Sequence, residues 1–274
     1  MKTGSSRQRT LIRIGQKVLS LHALFSYLFL YLPIIILIIF SFNNSKSVFR
    51  WAGFTTHWYL DLFSDPRIMS ALKNSLIVAS ASTIASTIFG TMVSIAMERY
   101  DFFGKLPFDA LLYLPIVIPD ITMAVMLLVF FVTIHMPLGL HTIIISHIAF
   151  NISFVSVTVR ARLASLDPAL EEAAQDLYAN EWQTFWKVTF PLLLPGIIGG
   201  ALMAFTLSLD DYVITFFTAG ARSTTLPLRI YSMVKTGVKP DINALSSLMM
   251  MVSMALVVLS LLLQRKGGEG VTIQ

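Results

Sequence analysis

Residues 160–191 read RARLASLDPALEEAAQDLYANEWQTFWKVTFP, and the distribution of charge along them sets the reading of the whole chain. Acids and bases recur throughout this stretch, whereas the runs before it (139–160) and after it (191–218) are far poorer in charge and mostly apolar. At a rise of about 1.5 Å per residue, either flank is long enough to cross the hydrocarbon core of a bilayer. The stretch is therefore a water-facing connection between two membrane spans.

Its own pattern is helical. Asp167 suits an N-cap, Pro168 the first helical position, and Glu171 and Glu172 the positive end of the helix dipole. Leu170, Ala173, Ala174 and Leu177 fall at helical spacing and form an apolar face with small residues in its middle. After a turn near 178–180, Trp182, Phe185, Trp186 and Thr189 make a second stripe. These features predict two short helices joined by a bend. The apolar face suits a groove on another protein; it suits equally a hairpin lying on the bilayer or closing the bundle, because amphipathicity does not say what covers it.

Working outward, six apolar runs are long enough to span: 19–42, 72–97, 108–133, 139–160, 191–218 and 243–263. An even number returns the chain to its starting side. With the N-terminus inside, Lys2, Arg7, Arg9, Arg13, Lys17, Arg99, Lys105, Arg160, Arg162, Lys187, Arg265 and Lys266 are cytoplasmic. Lys46, Arg50, Arg67, Lys73, Arg222, Arg229, Lys235 and Lys239 are then external. The basic flank of the first run favours this orientation, and that run is too long for a signal core and lacks a small-residue cleavage pattern. Two external segments, 43–71 and 219–243, carry Trp51, Trp58 and Tyr231; such aromatics serve docking or interfacial anchoring alike. Pro115, Pro119, Pro191, Pro195, Gly196, Gly199 and Gly200 predict bent, closely packed third and fifth spans.

Composition agrees. Hydrophobic residues make up 55% of the 274 and charged ones 13%, about half the charged share of a soluble domain, with a mean hydropathy of +0.74. There is no cysteine, which removes disulfides, thiolate metal sites and cysteine nucleophiles. The net charge of +5 is scattered between apolar runs and is not a nucleic-acid stripe. No G-x-x-x-x-G-K-[ST] occurs, so ATP phosphates have no P-loop in this chain. His135, His141 and His147 do not share a helical face, and neither H-E-x-x-H nor G-x-S-x-G is present. The chain is expected to catalyse no reaction.

Glu172-Ala173-Ala174-Gln175-Asp176-Leu177, with Ala179, Phe185, Val188, Pro191 and Pro195-Gly196, resembles the EAA loop of ABC importer permease subunits. Further matches run over nearly the whole chain: Phe42-Asn43-Asn44-Ser45, Trp51-Ala52-Gly53-Phe54, Pro119-Asp120-Ile121, Phe205 to Asp211 as FTLSLDD, and Leu226 to Ser232 as LPLRIYS. Together they resemble the PotC-type spermidine/putrescine permease family. The resemblance implies an all-α membrane protein with six transmembrane helices, a type I ABC importer permease fold and a cytoplasmic coupling helix. Its parts would be an N-terminal segment (1–18), a first helix (19–42), an external loop (43–71), a type-1 transmembrane domain (70–263) with its coupling loop (161–190), and a cytoplasmic tail (264–274).

It also implies partners: a second permease as heterodimer, two copies of a cytoplasmic ABC ATPase that carry ATP and Mg, an extracytoplasmic polyamine-binding protein, and membrane lipid. Glu171, Glu172, Ala173, Ala174, Asp176, Leu177 and Ala179 would couple the chain to the ATPase in a bacterial inner membrane. Tyr178 departs from the glycine usual at the bend, and the departure predicts either a different left-handed residue, such as Asn180, or a tyrosine that fills a pocket in the ATPase. Iron chelates, sulfonates or opines are alternative solutes for the same architecture. A gradient-driven transporter would instead show inverted repeats, and none stands out.

Three acids lie inside spans. A carboxylate near the bilayer centre costs about 2.5–3.5 kcal/mol and turns toward a cavity or a partner. Asp210 or Asp211, with Tyr212 and Phe216, would replace the lost hydration of a polyammonium chain by charge and aromatic faces. Adjacent residues point about 100° apart, so the two acids do not share one pore. Asp120 is a further candidate for the substrate pathway. Capping a broken helix or pairing with a partner subunit is the alternative for all three acids, and Pro119 makes capping natural for Asp120.

Overall fold

The computed structural model describes residues 4–45, 50–237 and 240–268. Lys2, Lys46, Lys239 and the tail beyond residue 268 lie outside the described residues. The chain forms two units, residues 1–62 with 237–247 and residues 63–236 with 248–274. Apart from an isolated bridge between Asn43 and Phe54, the described secondary structure is helical.

In the first unit, α1 (Gly4–Ser41) is long and apolar enough over Gly15–Ser41 to cross a membrane. Past its end, the buried Asn43 organises the chain by hydrogen bonding. Its Nδ2 donates to the Arg50 carbonyl (2.8 Å), its Oδ1 accepts from Ala52 N–H (2.9 Å), and its own carbonyl accepts from the Trp58 indole (2.8 Å). Trp58, at the start of α2 (His57–Ser64), is thus bonded into the fold. The Ser41 and Tyr59 hydroxyls, 2.7 Å apart, close the same knot.

The second unit opens with α3 (Pro66–Arg99), whose start is set by Asp65 accepting from Arg67 N–H (2.8 Å) and by Pro66 in the first turn. α4 (Lys105–Val117) and α5 (Asp120–Thr133) follow, then α6 (Leu140–Leu163), α7 (Ala169–Asp176) and α8 (Glu181–Thr184). A π-helical turn, Phe185–Thr189, leads into α9 (Phe190–Asp210). α10 (Val213–Thr218) and α11 (Leu226–Thr236) come next, and α12 (Pro240–Gly268) ends the described chain. Among the described residues, five helices are long and apolar enough to cross a membrane, and six if the bent α4–α5 pair is one span.

That pair differs from the expected single crossing over 108–133. α4 and α5 meet at 112°, because Pro119 has no N–H to continue the ladder and disfavours a helical Ile118; Ile118 is extended at ψ 134. The run expected over 191–218 is likewise broken, into α9 and α10, at the extended Asp211. The second short helix expected in the 160–191 loop is no separate element: α8 passes through the π turn into α9, and Glu181–Asp210 forms one long helix.

α3, α6 and α9 pack against one another to make the core. Apolar side chains gain nothing by leaving lipid tails for each other, so close approach and interhelical hydrogen bonds have to hold the contact. A Cβ on Gly90 of α3 would fall 2.8 Å from Val155 Cβ of α6; glycine is what allows the approach. One turn on, Ser94 Oγ lies 3.0 Å from the Ser156 carbonyl. Val155, Val159, Leu163, Leu193, Ile197 and Ala204 fill the α6–α9 seam, and Ala124, Phe150 and Ile214 join α5, α6 and α10.

Candidate functional site

The loop after α6 is built as its residues direct. Asp167 Oδ1 accepts from Ala169 N–H (3.0 Å), occupying one of the orphan donors at the start of α7. α7 ends in a Schellman arrangement: Ala179 N–H reaches the Ala174 carbonyl (3.1 Å) and Tyr178 N–H the Gln175 carbonyl (2.9 Å). That geometry puts the residue after the cap in the left-handed region, and Tyr178 sits there at φ 64. Asn180, offered above as the left-handed residue, is instead extended at φ −73. It caps α8, with its Oδ1 accepting from Gln183 N–H (2.8 Å) and Gln183 Oε1 accepting from Asn180 N–H (3.1 Å).

The residues expected to form one coupling face divide between two directions. Glu172, Ala173, Asp176 and Leu177 are exposed, with Leu177 at 81% and Tyr178 at 97%. Ala174 and Ala179 are half-buried. Glu171 turns the other way: both its oxygens are taken by the Arg99 guanidinium at the end of α3, and Thr189 Oγ1 donates to Oε1 (2.6 Å). Arg99 holds the Glu171 carboxyl below the ordinary glutamate range, against burial and with help from Thr189.

Next to Arg99, Glu98 accepts from Arg160 Nε of α6 (2.8 Å), and the same guanidinium reaches Asp109 of α4. Arg162 Nε donates to the Leu192 carbonyl of α9 (2.9 Å). The loop-side ends of α3, α4, α6, α7 and α9 are thus cross-tied by charge-assisted bonds, the strong class of hydrogen bond. The charge pattern assigned Arg99, Arg160 and Arg162 only to a side of the membrane. The Glu98-Arg99 pair, adjacent and opposite in sign at the end of an apolar run, is the signal that would have marked a tie.

The membrane acids also part company. Asp211 is fully committed: its Oδ2 accepts from Thr215 N–H (2.7 Å) and Thr215 Oγ1 (2.8 Å) and lies 3.3 Å from Nε2 of the fully buried His147. His147 Nδ1 is 2.6 Å from Ser208 Oγ, and Ser208 is 3.1 Å from Ser82 Oγ. One hydrogen-bonded chain therefore links α3, α6, α9 and α10 through the break that Asp211 caps. Asp210 is exposed and takes one described bond, from Ser253 Oγ (2.7 Å). Tyr212, Phe216 and Tyr231 cluster beyond it, with the Tyr212 and Tyr231 centroids 4.6 Å apart and those of Tyr212 and Phe216 5.7 Å apart. Asp120 is exposed at the first position of α5, where the helix dipole favours a negative charge. His147 is the functional neighbour that spacing did not reveal; a lone imidazole and a lone carboxylate in separate apolar runs each need a polar partner, and here they supply one another.

Comparison with known proteins gives a consistent result. Residues 86–266 match the family described as binding-protein-dependent transport system inner membrane component. The spermidine/putrescine transport system permease protein PotC of Haemophilus influenzae is 42% identical over 89% of this chain and 95% of its own length. PotC of Escherichia coli K12 is 41% identical over 90% and 93%, and the putrescine transport system permease protein PotI of the same strain is 41% identical over 83% of each. Among solved structures, a chain of a bacterial ABC transporter involved in import of the acidic polysaccharide alginate superposes with a TM-score of 0.70 at 19% identity, covering 100% of both chains. A chain of an amino acid ABC transporter gives 0.59 at 15% identity, over 77% of this chain and 99% of its own; at these identities the likeness concerns the fold alone.

Proposed function

The chain belongs to the family of binding-protein-dependent transport system inner membrane components, and from that premise we propose that it is the permease subunit of an ATP-driven polyamine importer. Spermidine and putrescine are the solutes. The chain moves them by alternating access and performs no covalent chemistry. ATP and Mg belong to two copies of a separate ATPase, a second permease completes the transmembrane pair, and a soluble protein outside the membrane delivers the polyamine.

The observation that carries the reading is the division of α7. Glu172, Ala173, Asp176 and Leu177 face water, while Glu171 is tied back to α3 and the π turn. An element exposed on one side and fixed on the other suits a helix that sits in an ATPase cleft and passes motion to the spans. The basic residues Arg7, Arg9, Arg13 and Lys17 at the start of α1 support an orientation with both termini in the cytoplasm, in which α7 is on the ATPase side. Asp210 is the acid with capacity to spare for an ammonium group, and Tyr212 and Phe216 add aromatic faces to the route.

Reconstitution with the ATPase and second permease tests this directly. ATP-dependent uptake of labelled spermidine, with competition by putrescine, is the expected result. ATP-dependent transport that neither polyamine competes for would retain the architecture and remove the substrate, leaving iron chelates, sulfonates and opines.

A further inference from the structure

The chain climbs from the loop into α9 through an aromatic run, Trp182, Phe185, Trp186 and Phe190, with neighbouring ring centroids 4.9 to 6.1 Å apart. One side of this run is built into the fold. Thr184 and Thr189 are buried, and Thr189 holds Glu171 of α7. The other side is open: Trp182 is 70% exposed and Trp186 45%, and Lys187 beside them is exposed as well. Packing inside this chain does not account for two indole rings there, and water is a poor solvent for their large apolar faces.

The π turn decides what the open side faces. Phe190 N–H bonds to the Phe185 carbonyl, a five-residue step that takes in one residue more than an α turn. In an unbroken α-helix, at about 100° per residue, Leu194 and Ile198 would lie roughly 120° and 160° round the axis from Trp182. With the extra residue absorbed, the offsets fall to about 20° and 60°. Leu194 and Ile198 are exposed residues of the apolar span Glu181–Asp210. The turn thus brings the tryptophan pair onto the outward face of a membrane helix.

We propose that Trp182 and Trp186 are a bilayer anchor, seated in the glycerol and carbonyl layer of the phospholipid leaflet next to α7, with the Lys187 ammonium reaching a headgroup phosphate. Continuity with the outward face of the span favours lipid as the occupant. So does the residue type, since indole joins an apolar body to one N–H donor and suits the membrane–water boundary. The two residues stand about 6 Å apart along the axis, which fits an interfacial layer of roughly 5–8 Å on each side of the hydrocarbon. The anchor acts on coupling through Thr189. The helix start that the tryptophans hold at a fixed depth also holds Glu171, so α7 pushes against an element that cannot ride up or down in the leaflet. That consequence rests on the importer reading above; the lipid contact does not.

Because the chain has no cysteine, single replacements carry a spin label to chosen positions in the permease–ATPase assembly, reconstituted in phosphatidylcholine nanodiscs with cysteine-free partner subunits. Labels at Trp182→Cys, Trp186→Cys and Ile198→Cys are compared with one at Leu177→Cys on α7 for collision with lipid-soluble oxygen and with a water-soluble nickel chelate. The ratio of oxygen to nickel accessibility is expected to rise severalfold from Leu177→Cys through Trp182→Cys and Trp186→Cys to Ile198→Cys. Nickel-dominated collision at both tryptophan positions, equal to that at Leu177→Cys, overturns the proposal. So does shielding of both from either reagent, which assigns the pair to a contact with the ATPase or the second permease. Coupling supplies a second readout. Trp182→Ser with Trp186→Ser lowers solute transported per ATP severalfold, and Trp182→Tyr with Trp186→Tyr keeps most of it; parent-like coupling in the serine pair overturns the proposal. Where the serine pair fails to assemble, Trp182→Ser alone carries the comparison, because it leaves the Trp186 contact with Phe190 in place. If neither polyamine competes for uptake while the accessibility profile still rises, the substrate reading fails and the anchor stands.

Discussion

Arg99 and Glu171, 72 residues apart in sequence, meet through two parallel hydrogen bonds that fasten α7 to the end of α3. The pair joins an element in water to an element that crosses the membrane. Glu171 is also held by Thr189, so α7, α3 and the start of α9 are tied at one point.

Glu171→Gln removes half of that fork and leaves Arg99 poorly partnered. A loss on the order of 1–3 kcal/mol follows for a charged hydrogen bond of this kind, read as a lower unfolding midpoint in detergent. Because Glu171 faces inward, association with the ATPase persists while solute transported per ATP falls. The exchange Arg99→Glu with Glu171→Arg recovers part of both. Full recovery of transport by Glu171→Ala alone would show that the tie transmits nothing.

The same carboxyl sets a pH dependence. Its folded pKa lies below the ordinary glutamate value of 4.5, so the unfolded chain binds the proton first as pH falls. Stability from the tie is complete above that ordinary value and disappears as pH drops through the lower folded one. The midpoint difference between the parent and Glu171→Gln is therefore constant from neutral pH down to the ordinary glutamate value and closes progressively as pH falls below it.

Tyr178→Gly relieves a left-handed tyrosine. Removing that strain stabilises the isolated permease by about 1 kcal/mol, offset in part by the greater freedom of glycine in the unfolded chain. Tyr178 is almost fully exposed, so no packing is lost. A raised or unchanged midpoint combined with weaker ATPase association would mark the phenol as a contact retained at the expense of stability.

Glu172→Lys acts on the other face of α7. The side chain is exposed and away from the Arg99 tie, so the midpoint moves by no more than about 0.5 kcal/mol. Pull-down of the ATPase and ATP-driven uptake are both reduced. Ala174→Asp, at a half-buried position, lowers stability as well, and the contrast between the two variants separates docking from packing.

Much of this was legible in the chain. The apolar runs announce spans because lipid demands length and composition together, and Asp167-Pro168 announces the start of α7. Direction was harder. Helical spacing placed Leu170, Ala173, Ala174 and Leu177 on one stripe but could not show that Glu171, beside them, turns inward to Arg99, since that depends on a residue in another helix. The breaks at Pro119 and Asp211 were visible only in part: proline predicts a bend without its angle, and Asp211 breaks its helix by capping the next one. The likeness to polyamine permeases came from local strings that report ancestry, a different kind of information from the physics of spacing.

Asp210 and Asp211 provide the clearest contrast. Asp211→Asn exchanges an acceptor of three bonds for an amide and leaves buried His147 facing a donor. Leaving these buried groups without their acceptor costs about 1–3 kcal/mol, and the expected outcome is reduced accumulation of folded protein. Asp210→Asn keeps the contact to Ser253, because an amide oxygen accepts from that hydroxyl as the carboxylate does. Folding and ATPase association should be retained, while the loss of a charge that meets ammonium groups lowers spermidine uptake severalfold. Ser253→Ala, which frees the same carboxylate, leaves uptake close to the parent. If Asp210→Asn transports normally and Asp211→Asn folds but fails to transport, the roles are reversed and the solute passes on the His147 side of the helix break.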